Sequence, residues 1–275
     1  MVNYNTNEQV YNAKGDKSVA SQVAQVICVL VQRGLYIAGF NAASELLTVQ
    51  YTGYNKNKPV WEVDFFEHIF NTDPILAKKE LVMGVFISSD KNLIVPNELY
   101  SEDSAVTWLS RIHFIETNDV IYTYPLASES ATYLLAAPVS TTELVKINFQ
   151  HAEILPLSIY QFRSRHTSGY HMQLCLSSEQ VCVTLHNDSQ LLWHRVFGYT
   201  TAEEIAYVLN SYCRENSIDP AQLQLACTGL SASEFDRINE LTQYFPEIKA
   251  GDGSSIAMIW DGAISLAQQL FSCVS

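Results

Sequence analysis

The sequence has few positive charges. Of its 275 residues only 16 are Lys or Arg, against 29 that are Asp or Glu, so the formal net charge is −13. A chain this acidic is repelled by the phosphate backbones of DNA and RNA, and we expect no nucleic-acid partner. Charged residues make up 16 % of the chain and hydrophobic residues 48 %, a composition that provides for folded cores and argues against disorder.

Long apolar segments are also missing. The longest run near the N-terminus, Val26–Val31, is far shorter than the roughly 18 residues that a membrane-spanning helix needs. Residues 1–19 are mostly polar and lack the apolar core of a secretory signal. We therefore expect a polar N-terminal tail over 1–19, no membrane span and a cytoplasmic location.

The usual catalytic and metal-binding motifs are absent too. There is no P-loop, no G-x-S-x-G elbow and no C-x-x-C pair. No two carboxylates are marked by their spacing as an acid–base couple. The cysteines lie mostly among aliphatic neighbours and are expected to be free thiols in a reducing compartment; they are Cys28, Cys175, Cys182, Cys213, Cys227 and Cys273.

One internal repeat is present. Glu45–Tyr54 aligns with Gln190–Tyr199 at an offset of 190 − 45 = 145, with Leu-Leu and Gly-Tyr identical in both copies. Each copy follows two apolar, strand-like segments and precedes an amphipathic helix and another strand. The order strand, strand, strand, helix, strand therefore occurs twice, which predicts an α/β (α+β) protein with mixed five-stranded sheets flanked by helices.

The predicted elements fall into two halves. In the first copy they are strands Val26–Gln32, Leu35–Asn41 and Leu81–Ser88 and a helix Val60–Asn71; in the second, strands Tyr170–Leu176, Val181–His186 and Gln222–Thr228 and a helix Ala202–Glu215. Further predictions are helices Asp103–Phe114, Thr141–Phe149, Pro156–Arg165, Ser233–Tyr244 and Ala263–Phe271 and strands Val120–Tyr124 and Ala131–Ala136. The polar, turn-rich stretch His166–Gly169 divides the chain into domains 20–167 and 168–275.

Three segments carry a resemblance to a known family. They are Val181–Tyr207 (VCVTLHNDSQLLWHRVFGYTTAEEIAY), Asp219-Pro220 leading to Ala226-Cys227-Thr228-Gly229, and Ile154–Tyr160 (ILPLSIY). With these segments the chain resembles a bacterial domain-of-unknown-function family with an actin-like ATPase fold. The resemblance implies two ribonuclease-H-like domains, and in active members of the superfamily these domains close over a nucleotide.

The resemblance also implies where nucleotide chemistry would lie. In active members, the first hairpin of each half carries an acidic residue and a Gly-rich turn, but neither hairpin here has Asp-x-Gly. Glu179 is the one carboxylate in either turn, and we interpret it as a solvated hairpin tip. The place of the adenosine-side loop is taken by Thr228, Gly229 and Ser231, and Gly251, Asp252 and Gly253 form the other glycine-rich loop. These seven are weak cofactor-binding candidates, and no catalytic or metal-binding residue is predicted.

The second hairpin contains a set of Cys and His residues. A turn at Ser178-Glu179 places Cys175 opposite Cys182 and His171 opposite His186. Four residues along a strand separate the two pairs by roughly 13 Å, so one tetrahedral zinc does not span them. A Cys175–Cys182 disulfide is geometrically possible, but a reducing compartment disfavours it. We expect these residues to lie under a covering helix or at an interdomain face.

The leading hypothesis is thus a catalytically inactive actin-like protein, without a cofactor, that serves as an interaction or scaffold module with a protein partner. The alternative is a nucleotide-binding protein, or a weak ATPase or kinase, that uses ATP and magnesium in the interdomain cleft. A third interpretation is a dimer or filament that assembles through an exposed sheet edge or an aromatic patch.

Overall fold

The computed structural model describes residues 6–13, 19–163, 168–188, 190–251, 253 and 258–275. The chain divides into two compact units. Unit 1 comprises Met1–Leu157 together with Leu270–Ser275, and unit 2 comprises Ser158–Gln269. The domain boundary expected at 166–169 falls partly outside the described residues and stays a prediction.

Unit 1 contains a six-stranded mixed sheet and a smaller antiparallel one. The large sheet has the order β1-β4-β3-β2-β5-β9, and the small one has the order β6-β8-β7. The strands of the large sheet are β1 (Asn7–Asn12), β2 (Gln25–Val31), β3 (Gly34–Phe40), β4 (Leu46–Gly53), β5 (Val82–Ile87) and β9 (Glu153–Pro156), and those of the small sheet are β6 (Asn92–Pro96), β7 (Asp119–Leu126) and β8 (Ala131–Pro138). Its helices are α1 (Val19–Gln22), α2 (Val63–Thr72), α3 (Ala105–Ser110) and α4 (Val139–Asn148).

The core of unit 1 is built on the aromatic face of α2. Phe65, Phe66 and Phe70 are fully buried, with the rings of Phe65 and Phe66 edge to face at 5.3 Å. Phe70 packs on Phe149 at a centroid distance of 4.7 Å. Rings at this spacing place most of their area on one side of the helix, so these three side chains form part of the core.

Three features of unit 1 differ from the sequence-based expectation. The large sheet has six strands instead of five, because β1 lies in the segment assigned to a polar tail and pairs with β4. β6 was not predicted. The helix expected over Asp103–Phe114 is reduced to α3, and the apolar side chains of Ile112 and Phe114, which lie beyond it, are exposed.

Unit 2 contains a five-stranded mixed sheet of order β12-β11-β10-β13-β14, the number predicted. Its strands are β10 (Tyr170–Leu176), β11 (Gln180–Asn187), β12 (Gln190–Gly198), β13 (Leu223–Gly229) and β14 (Lys249–Ala250). Its helices are α5 (Ile159–Arg163), α6 (Ala202–Glu215) and α7 (Glu234–Leu241), and α8 (Asp261–Phe271) leads the chain back to unit 1. Mixed sheets flanked by helices, the predicted fold class, are confirmed in both units.

Two local predictions for unit 2 are confirmed in detail. The β10–β11 register pairs Cys175 with Cys182 and His171 with His186. Helix α6 begins after Thr201, which forms a reciprocal capping box with Glu204. Such a box satisfies free N–H groups at the helix start, and the sequence Thr followed by acids predicts it.

The two copies of the sequence repeat also share irregular features. The register of β3–β4 skips Leu47, and that of β11–β12 skips Leu192, so each third strand has a β-bulge, and 192 − 47 = 145 is the offset of the repeat. The Tyr that follows Gly in each copy also makes the same backbone hydrogen bond. The Tyr54 N–H donates to the Arg33 carbonyl, and the Tyr199 N–H donates to the Glu179 carbonyl.

Candidate functional site

The candidate residues of unit 2 lie where two parallel strands end side by side. β10 and β13 pair in parallel, with Leu176 opposite Gly229. The hairpin turn with Glu179 follows β10, and the segment from Thr228 to Ser231 consists of the last two residues of β13 and the turn after it. In open α/β sheets ligands bind at this carboxyl edge of the strands, so the structure places the turns where a site is expected.

The side chain of Thr228 faces inwards. It is 1 % exposed, and its hydroxyl lies 2.8 Å from the Tyr160 hydroxyl and 3.2 Å from the Leu174 carbonyl oxygen. Tyr160 belongs to α5, so Thr228 connects the end of β13 to the helix that covers this face of the sheet. These bonds give Thr228 a structural function.

Gly229 is a point of close approach between the turn and two helices. A Cβ at this position would lie 2.8 Å from the Glu234 Cβ, and a Cβ at Gly262 of α8 would lie 3.2 Å from the Gly229 nitrogen. The next residue, Leu230, donates its N–H to the Leu176 carbonyl oxygen at 3.0 Å. The turn is therefore closely packed, and the Leu230 donor is engaged within the protein.

A buried carboxyl group lies against this turn. Glu234, the first residue of α7, is 2 % exposed, and the Ser231 hydroxyl donates a hydrogen bond to its carboxylate. Burial raises the pKa of Glu234 to about 7, although hydrogen bonds from Ser231, Ser233 and the backbone favour the charged form. Sequence reasoning did not select Glu234, but the Ser-x-x-Glu spacing after a strand is a signal that could have found it.

The glycine-rich loop after β14 partly joins this site. A Cβ on Gly251 would lie 2.5 Å from the Thr228 Cγ2 and 3.1 Å from the Ser265 Oγ, so Gly251 packs beside Thr228. Gly253 has a φ of +85° and open space around it. Asp252 lies outside the described residues. The structure thus brings together Thr228, Gly229, Ser231 and Gly251.

The hairpin turn that carries Glu179 is closed by its own hydrogen bonds. The Ser177 N–H donates to the Gln180 carbonyl oxygen at 2.8 Å, and the Gln180 N–H donates to the Ser177 Oγ at 3.1 Å. Tyr199 completes the turn, because its N–H donates to the Glu179 carbonyl at 3.2 Å. The N–H groups of Ser177 and Gln180 are therefore committed within the protein.

The Cys and His side of the sheet is covered by α5, as expected from the sequence. Gln161 of α5 accepts hydrogen bonds from the Cys182 Sγ at 3.1 Å and the Thr184 hydroxyl at 2.7 Å. All six cysteines are buried free thiols, and burial raises the pKa of Cys175 to about 11, which keeps this thiol protonated at neutral pH. Among the described residues, no group of three or more His, Cys, Asp or Glu side chains could hold a metal ion.

Two histidines lie on this side of the sheet, His186 buried and His194 half-buried. His194 of β12 places its Nδ1 3.0 Å from the Thr184 hydroxyl and packs edge to face on Phe162 at 4.9 Å. Burial lowers the pKa of His194 to about 3 and that of His186 to about 4, with a smaller effect from the neighbouring histidines. Both are neutral at physiological pH.

A cavity of about 640 Å³ lies in unit 2 beside these residues. Its lining includes polar groups from β10, β13, β14 and α8, namely His171, Gln173, Gln224, Lys249 and Gln269. The volume is typical of small-molecule sites, but the lining mixes amides with single charges of both signs, Glu247 and Lys249, and does not define one ligand class.

In the part of the chain that the structure describes, no helix is long and apolar enough to span a bilayer.

Two solved structures show the same fold. A protein of Bacteroides thetaiotaomicron VPI-5482, described as having an actin-like ATPase fold and unknown function, matches with a TM-score of 0.71 at 15 % identity, over 92 % of this chain and 99 % of that chain. The PilM–PilN type IV pilus biogenesis complex contains a chain that matches with a TM-score of 0.59 at 12 % identity, over 92 % and 99 % of the two chains. At these identities the likeness shows the fold alone, and that fold is the actin-like ATPase fold.

The comparison with curated proteins finds no match. The family model DUF3822, described as a protein of unknown function, matches residues 20–248, which is most of the chain and includes both the hairpin with Glu179 and the turn with Glu234. The chain belongs to the DUF3822 family.

Proposed function

We propose that this protein is a catalytically inactive member of the actin-like ATPase fold that acts through protein–protein interaction. The observation that carries the proposal is the Glu234 carboxyl group packed against the turn after β13. With a pKa of about 7, this group is partly ionised at neutral pH. A negative charge there disfavours a phosphorylated ligand, since two buried like charges repel strongly.

The hairpin of unit 2 supports the same proposal. Phosphate sites use backbone N–H groups that point at the ligand. In this hairpin the N–H groups of Ser177 and Gln180 already donate to acceptors inside the turn, and Leu230 of the neighbouring turn donates to Leu176. A nucleotide would have to break these bonds before it could accept from the same donors.

The interaction function has separate support. The matching PilM chain is described in a complex with PilN, so a protein of this fold takes part in a protein complex. We include in the proposal an origin by internal duplication. It is supported by the β-bulges at corresponding positions, Leu47 and Leu192, and by the corresponding hydrogen bonds of the two Tyr residues. In a duplicated protein each unit carries a related surface. One of these surfaces can bind a partner protein without any turnover of nucleotide.

An assay of phosphate release with ATP, GTP and saturating magnesium tests the proposal. We expect no turnover above the protein-free blank. Turnover that Glu179→Gln abolishes and Glu215→Gln leaves intact would overturn it, because Glu179 lies in the hairpin, whereas Glu215 is an exposed carboxylate at the end of α6 that does not line the cavity.

Thermal unfolding with ATP, ADP and GTP separates binding from hydrolysis. A ligand at one hundred times its Kd stabilises the native state by about 2.7 kcal/mol. We expect no such shift in the wild type. A shift with any of the three nucleotides would favour the alternative of a nucleotide-binding protein. In that case Glu234→Gln, which removes the charge, should enlarge the shift, and Glu240→Gln on the exposed side of α7 should not.

A further inference from the structure

The outer edge of the unit 2 sheet is formed by β12. This strand has nine residues. Among the described residues it pairs with β11 and with no other strand. The Tyr199 N–H points towards β11, because it donates to the carbonyl oxygen of Glu179 in the turn before β11. Since backbone groups alternate in direction along a strand, the N–H and C=O groups of Val196 and Gly198 point outwards.

The corresponding edge of unit 1 carries an extra strand. At the offset of 145, β4 is the counterpart of β12, with the bulge and the Tyr contact in the same places. β1 pairs antiparallel with the outer edge of β4 and places Val10 opposite Gln50. This internal example shows that such an edge accepts a strand of six residues, and it supplies the register, because 50 + 145 = 195.

The residue at that register position in β12 is Arg195. Its side chain is exposed, and its guanidinium lies over the Phe197 ring at 5.8 Å from the ring centroid. A cation in the middle of an edge strand is a common protection against pairing of identical edges. A second copy that paired here about Arg195 would place two guanidinium groups opposite each other and is therefore disfavoured as the occupant, whereas a cross-strand carboxylate is favoured.

We propose that the β12 edge is a docking site for an extended, acidic segment of a partner protein, which adds as a sixth antiparallel strand and places a carboxylate opposite Arg195. Main-chain hydrogen bonds to Val196 and Gly198 would supply the affinity, and Arg195 the selectivity. This inference deepens the proposed interaction function, because it specifies a surface and the chemistry of the partner.

The test uses the full chain and three fluorescein-labelled peptides of nine residues. They alternate Thr and Val. Two of them carry Glu or Lys at the central position, opposite Arg195, and the third carries Glu there and Pro at the position before it, opposite Val196. Fluorescence anisotropy should show that the Glu peptide binds about tenfold more tightly than the Lys peptide, since opposite and like cross-strand charges differ by roughly 1–2 kcal/mol. The Pro peptide should not bind, because it lacks the N–H that would donate to the outward-pointing carbonyl of Val196.

Arg195→Glu should reverse the preference between the Glu and Lys peptides. The matched control, Arg237→Glu on the exposed side of α7, should leave it unchanged. Amide hydrogen exchange provides a second readout that needs no variant: the Glu peptide should protect Val196 and Gly198. Absence of binding, equal binding of the Glu and Lys peptides, or protection elsewhere would overturn the inference.

Light scattering on the unliganded chain tests whether a second copy of the chain occupies the β12 edge instead. A dimer whose formation Val196→Pro abolishes would assign the edge to a second copy and overturn the inference. The outcomes are independent of the nucleotide assays. Failure of peptide binding without nucleotide turnover contradicts the docking site alone, and turnover together with peptide binding contradicts catalytic inactivity alone.

Discussion

The phenol of Tyr199 donates a hydrogen bond to the carbonyl oxygen of Ser177, 22 residues earlier in the chain, at 2.5 Å. Tyr54 does the same in unit 1, where its hydroxyl donates to the Gln32 carbonyl at 2.7 Å. Each Tyr therefore connects the third strand of its repeat to the preceding hairpin through both its backbone N–H and its side chain. The Gly-Tyr identity of the sequence repeat thus corresponds to the same pair of contacts in both units.

Removal of this hydroxyl should weaken unit 2 locally. We expect Tyr199→Phe to lower the free energy of unfolding by about 1–3 kcal/mol, because a buried carbonyl loses its donor. Tyr54→Phe should cost at least as much, since the Tyr54 hydroxyl also accepts from the Glu62 N–H. Urea unfolding followed by Trp fluorescence measures both. Tyr207→Phe on the exposed side of α6 is the control, and an equal loss there would contradict the assignment.

The Glu234 carboxyl group should make stability depend on pH. Its pKa rises from 4.5 in water to about 7 in the folded protein, so the native state holds the proton more tightly than the unfolded state does. Stability from this group is present below pH 4.5 and is lost as the pH rises towards 7, by on the order of 3 kcal/mol in total.

Glu234→Gln tests this dependence. The difference in unfolding free energy between wild type and variant should change across pH 4.5–7 and be constant outside this range. Glu240→Gln, with an exposed carboxylate on the same helix, should show no such change. A flat difference for Glu234→Gln would show that this carboxyl group titrates normally.

His194 should have the opposite effect. Its pKa is lowered to about 3 in the folded protein from 6.5 in water, so the unfolded state takes up the proton first as the pH falls. Stability from His194 is present above pH 6.5 and is lost between pH 6.5 and 3, by about 1.4 kcal/mol per pH unit where one proton separates the states. His194→Gln should reduce the slope of the unfolding free energy against pH by the amount that corresponds to one proton. The exposed His151→Gln, in unit 1, is the comparison, and an unchanged slope in His194→Gln would contradict the prediction.

Gly229 should not tolerate a side chain. In Gly229→Ala the new Cβ would lie 2.8 Å from the Glu234 Cβ, so the start of α7 must move, at a cost of about 1–3 kcal/mol. Gly198→Ala is the matched substitution, because its Cβ would lie at an ordinary 3.5 Å from the Glu179 carbonyl oxygen. Thermal unfolding should separate the two variants, and a neutral Gly229→Ala would show that the turn can relax.

Local patterns in the sequence were sufficient for part of this structure. The register of Cys175 with Cys182 follows from strict alternation on both sides of a short turn, and the start of α6 follows from Thr201 and the acids after it. Phe65, Phe66 and Phe70 lie on one helix face, so their burial was also predictable. In each case the signal is carried by residues close together in the chain.

Other features depend on contacts that alternation and capping rules do not contain. β1 is polar and half exposed because it forms an edge, and its pairing with β4 is needed to make it a strand. Glu234 has an ordinary helix-start sequence, and its pKa is raised by the burial that the fold imposes. The length of α3 was overestimated because exposed Ile112 and Phe114 imitate a buried face.

The pairing of β1 has a consequence for the order of folding. Asn7 pairs with Gly53, so β1 is synthesised before its partner β4 and completes its pairing only after 53 − 7 = 46 more residues have been made. β2, β3 and β4 form a meander by contacts between chain neighbours and can assemble earlier. β1 then joins a preformed sheet, and until it does, the nascent chain carries an open edge at which a neighbouring chain could pair instead.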